Sequence, residues 1–136
     1  MGEQLTAKEK ISQLIKQQTD NEVQQDLINH KWLEKIPFAL VEELRSLNNL
    51  IVPLVAEILK EGSENNEFTC EYPIQTAELI LFYFDLLLDP VLFKRSHKEV
   101  CIRIDFLNNM LLSMDIQLFD TADLKKIKSA YKQLMN

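Results

Sequence analysis

The sequence predicts an all-α fold: a single-domain bundle of about six helices around a central apolar helix. Three observations carry this. The 136 residues include only two glycines, with 46% hydrophobic and 26% charged side chains, a globular profile poor in the residues tight β-hairpins need. Apolar side chains recur at threes and fours between breaks set by prolines or polar runs. Helix-start signals stand where such runs begin, and no segment needs the two-residue alternation of a strand.

The first helix opens on a capping box, in which Thr6 can accept from the amide of Glu9 and Glu9 can reach back to the amide of Thr6. Ile11, Leu14 and Ile15 then share a face, and the polar run Gln17 to Asn21 ends or frays it. A second helix is expected over Val23 to Ile36, with Val23, Leu27, Ile28, Trp32 and Ile36 at helical spacing. Pro37 lacks an N–H and pushes Ile36 away from helix, so a break or sharp kink is expected there. Phe38 to Glu61 is long and amphipathic, with a second kink suggested by Asn48, Asn49 and Pro53, and with Gly62 as a C-cap.

Ser63 to Tyr72 reads as a loop with Phe68 turned inward, and Pro73 opens the next helix as a first-turn proline. From Ala77 to Leu88 that helix is apolar almost all round, the signature of a helix in the middle of a bundle, and Pro90 ends it. Ser96 and Glu99 form another capping box. The helix that follows has two apolar stripes, Val100, Ile104, Leu107, Leu111, Met114 and Leu118 on one side, Ile102, Phe106 and Met110 on another. One stripe docks a helix on its own domain, and two imply burial on two sides. Asp120 or Thr121 caps the last helix, where Leu124, Ile127, Tyr131 and Leu134 recur.

Charge and chemistry exclude several functions. Net charge is −6, and the basic runs Lys94-Arg95 with His97-Lys98, and Lys125-Lys126 with Lys128, read as solvated helix ends, so nucleic-acid binding by these residues alone is not expected. Cys70 and Cys101 form no CxxC, and no histidine stands at metal-ligand spacing. The opening residues are polar and amphipathic, and the apolar run Leu79 to Phe93 is too short for a membrane span and carries Asp85 and Asp89. A reducing cytoplasm is the expected location. There is no GxSxG, no phosphate-cradling glycine loop and no nucleophile with a paired base, so neither an enzyme nor a cofactor is expected.

Asp85 is the most suggestive polar residue. Inside an apolar run it must be paired, protonated or facing a cavity. A salt bridge to Arg45 or Arg103, or exposure where the helix emerges, is the plain alternative. The sharper one is a polar anchor in a ligand pocket with Tyr83 or His30 nearby. Trp32, Phe38, Phe82 and Phe84 are core residues by type that could also touch a bound molecule.

The stretch Leu54-Val-Ala-Glu-Ile-Leu-Lys-Glu-Gly62, then Glu67-Phe68, then Tyr72-Pro73-Ile-Gln-Thr76-Ala77-Glu78-Leu79-Ile80, resembles the middle of TetR-type transcriptional regulators. In that family a long helix ends at a glycine, a loop carries a buried aromatic, and Pro-x-x-Thr-Ala opens a central apolar helix. Leu5 to Ile11 resembles the family's linker helix, and the closing helix pair stands where the family dimerises. Asn65-Asn66-Glu67 replaces the glycine that usually precedes the loop phenylalanine.

The resemblance implies one effector-binding and dimerisation domain over residues 1–136, with 1–20 as linker helix and 97–136 as a four-helix dimer seam. It implies a small, mostly apolar effector, for which Trp32, Phe38, Phe82, Tyr83, Asp85 and His30 are the candidate contacts. The second partner is another copy of the chain, met through Val100, Ile104, Leu107, Leu111, Met114, Tyr131 and Leu134, with the choice between the two stripes left open. DNA is expected only through an N-terminal helix-turn-helix head that these residues do not include. Effector binding would bias the linker helix and so the spacing of two heads. A different class stays open beside this, an adaptor whose apolar groove takes a partner helix without a small-molecule effector.

Overall fold

The computed structural model describes residues 5–19, 37–90 and 92–135. The expected helix Val23–Ile36, and with it His30 and Trp32, lies outside them. The described residues are helical, with no strand among them: α1 (Ala7–Thr19), α2 (Pro37–Ser46), α3 (Val52–Glu64), α4 (Pro73–Phe82), α5 (His97–Ser113) and α6 (Thr121–Leu134).

The box at the start of α1 forms as the spacing predicts, Glu9 N–H donating to Thr6 Oγ1 at 3.2 Å and Thr6 N–H to Glu9 Oε1 at 3.0 Å. Pro37 takes the first position of α2, where a missing N–H costs nothing. Between α2 and α3 the rod widens into a π-helical turn over Leu47–Ile51, its flanks Ser46 and Val52 staying in right-handed helical geometry. Pro53 explains this locally. It has no N–H to give to the carbonyl of Asn49, and the ladder slips so that Val52 N–H reaches Leu47 O.

Gly62 corrects the C-cap expectation. It lies inside α3, without positive φ, and is small because a Cβ there would stand 2.3 Å from Phe68 Cζ and 2.8 Å from the Ala7 Cβ. The helix ends two residues later, at Glu64, and its closing motif follows. Asn66 takes φ 61°, Glu67 N–H bonds Gly62 O at 2.9 Å and Asn66 N–H bonds Ser63 O at 3.2 Å, a Schellman motif in which asparagine does the work of glycine. Phe68 is buried as expected.

Helix α5 ends the same way, with Asp115 at φ 65° and Ile116 N–H on Leu111 O at 2.9 Å. The stripe drawn through Leu118 is therefore cut at Ser113, and Leu118 is fully buried in the turn that follows. Asp120, with Asp123, supplies the capping box of α6. Helix α4 packs along α3, and the core runs from there to the inner face of α5, with Leu59, Leu88, Ile104, Leu107, Leu111 and Leu118 its most completely buried large side chains. Each such leucine or isoleucine contributes about 1.5–3 kcal/mol of transfer free energy.

Candidate functional site

The central apolar helix does not run straight to its end. After α4 it widens into a π-helical turn, Tyr83–Leu87, which carries Asp85. In this turn Leu88 N–H bonds Tyr83 O at 3.1 Å and Asp89 N–H bonds Leu86 O at 3.4 Å, so the donor that an α-register would give to Phe84 O goes elsewhere. The phenol of Tyr131 on α6 fills that place, donating to Phe84 O at 3.1 Å, and the Arg95 guanidinium donates to Leu87 O. Orphan carbonyls at the end of a buried helix are thus met by side chains from later in the chain.

Asp85 makes no ion pair among the described residues. Both partners offered by the sequence turn away, Arg45 to Glu42 at 3.1 Å and Arg103 to Glu99 at 4.0 Å. The carboxyl of Asp85 is pushed up to about 6, first by burial and then by Glu43 of α2 and Asp89. The same surroundings raise Tyr131, burial first and then the carboxylates of Asp85 and Asp89, and keep its phenol a hydrogen-bond donor. Tyr83 is raised by burial against the opposing influence of Arg103 and Arg95, and its hydroxyl donates to Arg103 O at 2.8 Å. The ring of Phe84 is a hub, with the rings of Tyr83, Phe119 and Tyr131 each 6.3–6.4 Å from it between centroids.

Of the residues read as effector contacts, Phe82, Tyr83 and Asp85 are brought together at this turn, half-buried or buried. Phe38 is not enclosed; it is 71% exposed on the first turn of α2. His30 and Trp32 lie outside the described residues. The neighbours Glu43 and Asp89 were missed by the sequence reading. Asp89 was legible as the residue one helical turn after Asp85, whereas nothing local announces Glu43. Also missed was a groove of about 300 Å³ between α1 and α3, lined by Lys10, Gln13, Leu14, Leu54, Glu57, Ile58 and Glu61.

The residues read as the seam between two copies divide by their exposure within one chain. Val100, Ile104, Leu107 and Leu111 are 0–3% exposed within one chain, because that stripe faces the core. Side chains already covered by their own protomer have no surface left to give to a second one. Tyr131 is likewise committed to Phe84. Met114 and Leu134 keep exposed area. The other stripe of α5 is the open one, Ile102 at 56% and Phe106 at 60% exposure, with Met110 partly buried beside them.

No helix among the described residues is long and apolar enough to cross a membrane. Comparison with curated proteins and with solved structures finds no match. The sequence model of the family described as tetracyclin repressor-like, C-terminal domain, matches residues 38–110, more than half of the chain, from the start of α2 through most of α5. The broken rod α2–α3, the buried loop phenylalanine, the proline-opened central helix and this match together place the chain in the TetR-like C-terminal domain family, as a regulatory domain of that type.

Proposed function

We propose that residues 1–136 act as one domain that binds a small, mostly apolar effector and pairs with a second copy through the helices of 97–136. The pairing reading rests on one observation. Helix α5 is apolar on two sides, its inner stripe is saturated, and Ile102 and Phe106 stand in water on the outer one. Two α5–α6 hairpins set face to face would cover that stripe on both copies, an isologous contact. The effector reading is supported by Asp85, a half-buried carboxyl that follows Phe82, Tyr83 and Phe84 in the chain and has no ion-pair partner among the described residues.

Sedimentation equilibrium at tens of micromolar tests the pairing: the chain sediments as a dimer, and Phe106→Glu shifts it to monomer with its helix content unchanged. A monomeric parent chain overturns the reading. For the effector, a panel of apolar small molecules should include one that raises the melting temperature; at a concentration a hundredfold above Kd the stabilisation is about 2.7 kcal/mol. The rise should shrink in Asp85→Ala. A dimer whose melting temperature no ligand moves keeps the pairing and removes the effector.

A further inference from the structure

Helix α1 is held differently from the other helices. Among its described side chains, the apolar contribution is Ala7, Ile11 and the half-buried Leu14. The rest of its seat is polar and comes from distant parts of the chain. Glu67, in the loop after α3, accepts from Ala7 N–H at 3.1 Å and from Lys8 N–H at 3.3 Å, two of the first-turn amides that a helix leaves unsatisfied. Lys10 pairs with Glu61 at 2.5 Å, and Ser12 donates to Asp123 Oδ1 at 2.8 Å.

These bonds differ in kind from the local Thr6–Glu9 box, which forms in α1 whether or not the helix is docked. Glu67 and Asp123 reach α1 only when it is docked. Both also belong to structures at the turn between α5 and α6. The loop carrying Glu67 is tied by Thr69 N–H to Asp115 O at 3.2 Å, and Asp115 is the left-handed residue that ends α5. Asp123 accepts from Asp120 N–H at 3.2 Å through its other oxygen and so closes the cap of α6. Two paths therefore run from one turn to one helix: Asp115 by a hydrogen bond to Thr69, along the backbone to Glu67 and by hydrogen bonds to the α1 N-terminus, and the α6 cap to Asp123 to Ser12.

We propose that Glu67 and Asp123 form a two-point latch that couples the seat of α1 to the α5–α6 turn, so that a displacement of either is felt by the other. The latch is a property of a single copy and does not depend on pairing or on an effector. Side-chain acceptors with alternatives in water release more readily than a buried apolar stripe.

Hydrogen–deuterium exchange on the full chain tests this. Glu67→Ala should speed exchange in residues 7–19 about tenfold, the loss expected for hydrogen bonds to a charged acceptor, and should also raise exchange in residues 114–123. Ser12→Ala, which deletes one hydroxyl and leaves the fold intact, should do the same on a smaller scale. Glu9→Ala breaks only the local box and should leave residues 114–123 unchanged. The proposal is overturned if neither Glu67→Ala nor Ser12→Ala alters exchange in residues 114–123, or if Glu9→Ala alters it as much as they do.

Discussion

The inner stripe of α5 and the π-helical turn of the central helix are both buried, yet burial stabilises one and costs the other. Val100, Ile104, Leu107 and Leu111 bring no polar atom inward, and the water they release is gain without a debt. The Tyr83–Leu87 turn brings in a carboxyl, together with a widened ladder whose carbonyls need partners from elsewhere. A regulatory domain needs both. The first kind of region fixes the scaffold, and the second is where a small change of charge or contact moves the balance.

The sharpest way to break the comparison is at Leu107, which is 0% exposed. Leu107→Ala should destabilise by about 2–5 kcal/mol through lost transfer energy and the cavity left behind. Phe106→Ala, one residue away and 60% exposed, should change stability by no more than about 0.5 kcal/mol, within the usual range for surface sites. Urea unfolding monitored by circular dichroism, at concentrations low enough to keep the chain monomeric, separates them. Equal losses at the two positions would dissolve the distinction between the stripes.

Asp85 should act with the opposite sign. Its carboxyl is raised from 3.8 in the unfolded chain to about 6 in the folded one, so between those values the folded state holds the proton more tightly. The contribution of Asp85 to stability is therefore greatest below pH 4, falls as pH rises through 6, and is level above that. The loss approaches about 3 kcal/mol at 1.36 kcal/mol per unit, and about 1–3 kcal/mol once the partly wet position of the carboxyl is allowed for. Asp85→Asn should flatten this slope and leave the chain more stable at pH 7. A slope that survives the substitution shows that Asp85 does not carry the titration.

The same contrast explains how much was legible in the sequence. The helices of the described residues, the buried Phe68, the proline-opened central helix and the apolar run of α5 all follow from spacing and caps, which are local. What was misread depends on contacts between distant residues. Gly62 looks like a helix stop by type, but it is a crossing point with Ala7 and Phe68, and Asn66 ends the helix instead. Two equivalent stripes on α5 give no sign of which one meets the core, and the choice is made by where Leu59, Leu88 and Leu118 stand. At the candidate site, the oddity of Asp85 was visible, while the approach of Glu43 and the reach of Tyr131 to Phe84 O were not.

Tyr131 offers the finest test, because the sequence placed it in a seam between copies and the fold gives it a bond within one chain. Its hydroxyl serves Phe84 O, a carbonyl left without its α-helical donor by the widened turn. Tyr131→Phe keeps the ring and its stacking on Phe84, whose planes lie 25° apart, and removes only that donor. The expected cost is about 0.5–1.5 kcal/mol, the net worth of one hydrogen bond to an otherwise unmet acceptor. It should appear in the unfolding midpoint of the monomer and leave the dimer dissociation constant as it is. A variant that unfolds like the parent but dissociates more readily would return Tyr131 to the seam, and with it the inner edge of α6.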